Sequence, residues 1–130
     1  MIVDSSALVA ILQKEPESLR MSHVLALDPV RSVSAASWLE TSMIVFVRFG
    51  TEGVRDLDLL AAKASLDIVA VTSQQADIAR RAFMRFGKGI HPAGLNFGDC
   101  FSYALAKDTS EPLLFKGEDF SKTDIPAVPY

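Results

Sequence analysis

The chain has 130 residues, 49% of them apolar, and a formal net charge of −3 at neutral pH. That length suits a single domain over residues 1–130. One cysteine and two histidines exclude an internal disulfide and a zinc cage, and no apolar run reaches the roughly 18 residues of a membrane span.

Met1-Ile2-Val3 is a short apolar strand that ends on Asp4, and Ser5 or Ser6 caps a helix through Ala7 to Leu12. Lys14-Glu15-Pro16-Glu17 turns the chain into a second helix with Leu19, Val24, Leu25 and Leu27 on its apolar face, stopped by Asp28-Pro29. Val30 to Val33 alternates as a second strand. A long helix follows through Trp38, Leu39, Met43, Ile44, Phe46, Val47 and Phe49 to Gly50, and Thr51-Glu52 opens another with Leu57, Leu60, Ala61 and Ala64.

Asp67 to Val71 is a third strand. Thr72 and Gln75 have capping-box spacing before a helix carrying Ile78, Ala79, Ala82, Phe83 and Phe86. Gly87 to Gly98 is irregular, and Asp99 begins a helix through Phe101, Ala104 and Leu105. Pro112 to Phe115 is a fourth strand, Lys116 to Thr123 a polar loop and Ile125 to Val128 a closing strand. Strands alternating with helices define an α/β chain whose parallel sheet is covered by helices on both faces.

In such sheets ligands bind at the carboxyl ends of the strands. Asp4, Asp99 and Asp119 all fall at a strand end or helix start on that rim. Glu40 lies on the helical stripe of Ala36, Met43, Ile44 and Val47, which is expected to face the core, where a carboxylate needs a partner. Each acid also has a plain reading: helix cap for Asp4, favourable dipole partner for Asp99, stripe-edge residue for Glu40, turn former for Asp119. Together, several carboxylates without cations repel one another, and Mg²⁺ or Mn²⁺ relieves that repulsion. Such an ion activates water and neutralises phosphate charge, and no Ser-His or Cys-His pair offers another nucleophile. The acidic balance lacks the basic footprint of most nucleic-acid binders, but bound cations invert the local charge where phosphate arrives.

These residues resemble the PIN-domain ribonucleases, specifically the VapC-type toxins of type II toxin–antitoxin pairs. The resemblance rests on Met1 to Ala7, on Glu40 within Ala36 to Thr41, on Leu95 to Ala106 around Asp99, and on Leu113 to Ile125 around Asp119. It implies a three-layer α/β/α sandwich and Mg²⁺- or Mn²⁺-dependent cleavage of RNA. It implies Asp4 and Asp99 as principal metal ligands, Asp119 completing the pocket, Glu40 acting directly or through water, and Ser6 orienting a ligand or phosphate. A homodimer, a cognate antitoxin and a cytoplasmic location, with no basic leader segment at the amino terminus, are further expectations. Glu118 and Asp124 compete with Asp119 as the fourth acid.

The rival readings are a catalytically degenerate PIN-like binding module, a Mg²⁺-dependent phosphatase and a receiver-like signalling domain. The phosphatase wants a second aspartate where Ser6 stands, and the receiver wants a phospho-acceptor aspartate where the third strand ends in Val71-Thr72. Arg80 and Arg81, with Arg85 and Lys88, either meet RNA phosphates or form a solvated helix face. Trp38, Phe46 and Phe49 are either core or a dimer surface. Cys100 and Tyr103 read as packing residues, and His91 as a loop residue near substrate or without a role.

Overall fold

The computed structural model describes residues 1–130. Its elements are β1 (Ile2–Val3), α1 (Ser5–Leu12), α2 (Ser18–Leu27), β2 (Ser32–Ser34), α3 (Ala35–Ala64), β3 (Asp67–Val69), α4 (Ser73–Phe86), α5 (Phe97–Thr109) and β4 (Leu113–Leu114), followed by a 3-10 turn at Phe120–Lys122. The four strands form one parallel sheet in the order β3-β2-β1-β4, so the amino-terminal strand is central.

Side-chain alternation along the strands divides the core in two. Ile2 and Leu113 point to one face and pack with Ala104 and Leu105 of α5 and Ala82 and Phe86 of α4. Met1, Val3, Val33 and Leu114 point to the other face and meet Leu8 of α1 and Met21 and Leu25 of α2. The two strands covered on both faces, β1 and β4, are continuous apolar runs, whereas β2 alternates as Ser32-Val33-Ser34 and the edge strand β3 is largely exposed. This is the expected α/β/α arrangement.

Several boundaries differ from the sequence reading. The closing strand shrinks to a single parallel bridge between Leu113 and Ala127, because Pro126 and Pro129 remove two ladder donors. The helix expected to begin at Asp99 starts at Phe97, capped by Asn96. The two helices expected around Gly50 run on as α3, broken where Gly50 adopts a left-handed φ of 63°.

The buried face of α3 also differs from the expected one. Ser37, Thr41 and Val45 are buried, whereas Met43 and Val47 are 61% and 83% exposed. The interior here is polar: Thr41 donates to the Ser37 carbonyl at 2.7 Å, and Ser37 Oγ meets Ser102 Oγ at 3.0 Å. The apolar stripe faces outward instead. Phe46 and Phe49 are exposed rather than core, while Trp38 packs against the second core.

Candidate active site

Asp4 sits one residue beyond β1 and caps α1, with only 2% of its surface exposed. A carboxylate so buried must be satisfied by donors. Its Oδ2 accepts from Ser6 N at 2.9 Å and Ser6 Oγ at 2.6 Å, and its Oδ1 accepts from Ser102 Oγ at 2.6 Å. Ser6 Oγ in turn accepts from Lys116 N at 3.0 Å, tying the end of β4 to Asp4. The proton of Ser6 is committed to Asp4.

Asp99 is the third residue of α5. It shares a capping box with Asn96: its Oδ2 accepts from Asn96 N and its own N–H donates to Asn96 Oδ1, both at 2.9 Å. Its Oδ1 stays open. Burial, followed by the charges of Asp4, Asp119 and Glu40, pushes the Asp99 carboxyl up to about 6, although the Asn96 N–H pulls it down.

Glu40, half-buried on α3, reaches α5 at Gly98. A β-carbon at Gly98 would overlap both carboxylate oxygens of Glu40 and lie 2.6 Å from its Cδ. Asp119 is exposed at the start of the 3-10 turn. The sheet thus brings Asp4, Glu40, Asp99 and Asp119 into one electrostatic neighbourhood from four separate segments. No salt bridge engages any of the four.

The expected set of Asp4, Asp99 and Asp119 does not close into a cage, since no three His, Cys, Asp or Glu side chains lie near enough to grip one ion together. The donor chemistry still fits a hard cation. Mg²⁺ takes one or two carboxylates and completes its octahedron with water and phosphate oxygens. Ser34 points the same way. The β1–β2 register sets it beside Asp4, and its Oγ is buried without a protein partner.

The other candidates separate. Asp124 accepts from Tyr103 Oη at 2.7 Å, Lys107 Nζ at 3.0 Å and Arg85 Nη1 at 3.2 Å. Burial alone would raise its carboxyl, but these donors hold it below its ordinary value. It clamps α4, α5 and the carboxyl-terminal segment together. Glu118 is 84% exposed and faces Lys122 at 3.8 Å.

Arg81 pairs with Asp77 and lines a cavity with Arg85, Tyr103 and Lys107. Arg80 turns to a different cavity of about 460 Å³, shared with Phe83, Phe97 and Phe101. Tyr103 and Cys100 are buried, as expected of packing residues. His91 accepts from Ala93 N at 3.1 Å and meets the Phe86 ring edge-on at 5.2 Å, so it orders the glycine-rich loop. Sequence reading missed Gly98, Ser37 and Ser102. Small residues carry no chemical signature of their own, and only the partner across the interface shows what they do.

This is an α/β/α protein with acids gathered at the carboxyl edge of its parallel sheet, where such folds bind ligands. The model of the family described as "PIN domain" matches residues 1–126. "Ribonuclease VapC" of Mycolicibacterium smegmatis is 56% identical over 98% of this chain and 99% of its own. Among solved structures, VapC20 of Mycobacterium tuberculosis, described as a sarcin-ricin loop cleaving toxin, superposes with a TM-score of 0.80 at 18% identity, over 98% of this chain and 97% of that one. VapBC2 from Rickettsia felis, solved bound to a DNA fragment from its promoter, gives 0.75 at 14% identity, over 98% and 96%. The chain belongs to the PIN-domain family, in its VapC branch.

Proposed function

We propose that the protein is a divalent-metal-dependent endoribonuclease, the toxin of a type II toxin–antitoxin pair. The observation that carries this reading is the convergence of Asp4, Glu40 and Asp119 on Asp99, a half-buried carboxyl pushed up first by its burial and then by those three charges, with no salt bridge to any of the four. Its kinship with VapC ribonucleases supports RNA as the substrate.

Asp4 and Asp99 would hold Mg²⁺ or Mn²⁺, with Asp119 reaching it from the rim. The bound ion would activate water for attack on a phosphodiester and offset the charge that develops on phosphate. The chain's own groups do the rest. The Ser6 and Ser102 donors fix Asp4, and the Asn96 capping box fixes Asp99 with one oxygen free. Glu40, held against the first turn of α5, would be the group to accept a proton from the attacking water. Arg80, which lines a cavity with Phe97 and Cys100 of α5, would offer a positive charge for the RNA backbone, while Arg81 is committed to Asp77.

A second copy would cover the exposed Leu39, Met43, Phe46 and Val47 strip of α3, since apolar patches of this kind mark association surfaces. A cognate antitoxin is the expected inhibitor, as VapBC pairs are among the structural neighbours. The test is cleavage of purified RNA by antitoxin-free protein with Mg²⁺, with Mn²⁺ and with EDTA. Metal-dependent fragments support the reading. A folded protein that cuts nothing in either metal leaves it a binding module.

A further inference from the structure

Asp4 is held by a directed pair of buried hydroxyls that reaches it from α3 through α5. Ser102 Oγ is 2.6 Å from Asp4 Oδ1, and Ser37 Oγ is 3.0 Å from Ser102 Oγ. Ser37 and Ser102 are 1% and 0% exposed. A carboxylate can only accept, and each hydroxyl has a single proton to donate. Ser102 therefore spends its proton on Asp4, which leaves Ser37 as the donor to Ser102. The direction of the chain is fixed: Ser37 to Ser102 to Asp4.

The same arithmetic applies to the carboxylate. Of its roughly four lone-pair positions, Oδ2 gives two to Ser6 and Oδ1 gives one to Ser102. What remains for an incoming ligand is on Oδ1, the oxygen that Ser102 holds. Ser102 thus sets the orientation of the only free acceptor on Asp4.

We propose that Ser37 and Ser102 are positioning residues that aim Asp4 Oδ1 at the bound divalent ion, a role resting on the metal-site reading above. Groups that orient a metal ligand typically contribute about 10–100-fold in affinity. A serine placed in the interior only to fill space would contribute nothing to affinity.

The experiment measures Mn²⁺ binding by electron paramagnetic resonance on antitoxin-free wild type, Ser102→Ala, Ser37→Ala and the double variant. Proton NMR of the metal-free proteins follows the Ser102 hydroxyl, which burial shields from exchange. The hydroxyl resonance is expected in the wild type, shifted in Ser37→Ala and absent in Ser102→Ala. Mn²⁺ affinity is expected to fall about tenfold in Ser102→Ala, less in Ser37→Ala, and no further in the double variant, because the two act in series.

Wild-type affinity in a folded Ser102→Ala protein would overturn the proposal, as would additive losses in the double variant. A lower melting temperature with unchanged affinity would do the same, reducing the pair to packing. A wild type that shows the hydroxyl resonance but binds no Mn²⁺ contradicts the metal-site reading, and the positioning role falls with it.

Discussion

The carboxylate of Glu40 rests on the bare α-carbon of Gly98, so a glycine in α5 sets where an acid of α3 lies. The backbone at Gly98 is ordinary helix, and what it supplies is room. Gly98→Ala is expected to displace Glu40, the flexible end of a long side chain, rather than the helix. Alanine is the better helix former by about 1 kcal/mol. The melting temperature should therefore hold or rise while RNA cleavage falls tenfold or more. Unchanged cleavage would show that the position of Glu40 does not matter.

Asp99 gives the metal-free protein an unusual pH dependence. Its folded carboxyl titrates near 6, above the ordinary 3.8, so between those values the folded chain holds a proton that the unfolded chain has released. Its contribution to stability is present in full below about pH 4 and is lost as the pH rises through 6. Asp99→Asn should remove that loss. At pH 7 in EDTA the variant is expected to be more stable than wild type by on the order of 1 kcal/mol, the effect being screened on the open side of the site. Thermal melts from pH 4.5 to 8 give the comparison.

Asp119 and Asp124 should part company under substitution. Asp124→Asn loosens the clamp on Tyr103, Lys107 and Arg85 and is expected to cost about 1–2 kcal/mol of stability with cleavage retained. Asp119→Asn should leave stability almost unchanged and lower cleavage. Denaturant melts beside a cleavage assay separate the two, and the reverse pattern would move the fourth acid to Asp124.

The outward strip of α3 bears on assembly. Val47→Glu places a charge on a side chain that is 83% exposed in one copy, so the fold should tolerate it. If a second copy covers that strip, the variant is expected to sediment as a monomer at concentrations where wild type is a dimer. Equal sedimentation of the two would remove α3 as the interface.

Much of this molecule is legible in its residues. The run from Met1 to Asp4 reads as strand and carboxylate because a central parallel strand is apolar throughout. Asp99 reads as a candidate because it falls near a helix start on the same rim of the sheet as Asp4 and Asp119. Less legible is whatever depends on partners far apart in the chain. The Glu40 stripe was expected to face the core, but the interior between α3 and α5 is lined by hydroxyls, and hydropathy spacing is blind to a serine whose partner is another serine. The crowded acids of the last loop could not be ranked until Tyr103 and Lys107 were seen to claim Asp124. The Gly98 cradle needed both helices in place.

The central claim is that a divalent ion held by Asp4 and Asp99 enables this chain to cut RNA. The most direct measurement is cleavage of total cellular RNA by antitoxin-free protein in Mg²⁺, Mn²⁺ or EDTA, with folded Asp99→Asn alongside. Discrete fragments from wild type in metal alone, absent in EDTA and in the variant, are the predicted result. Cleavage that persists in EDTA or in Asp99→Asn would contradict it.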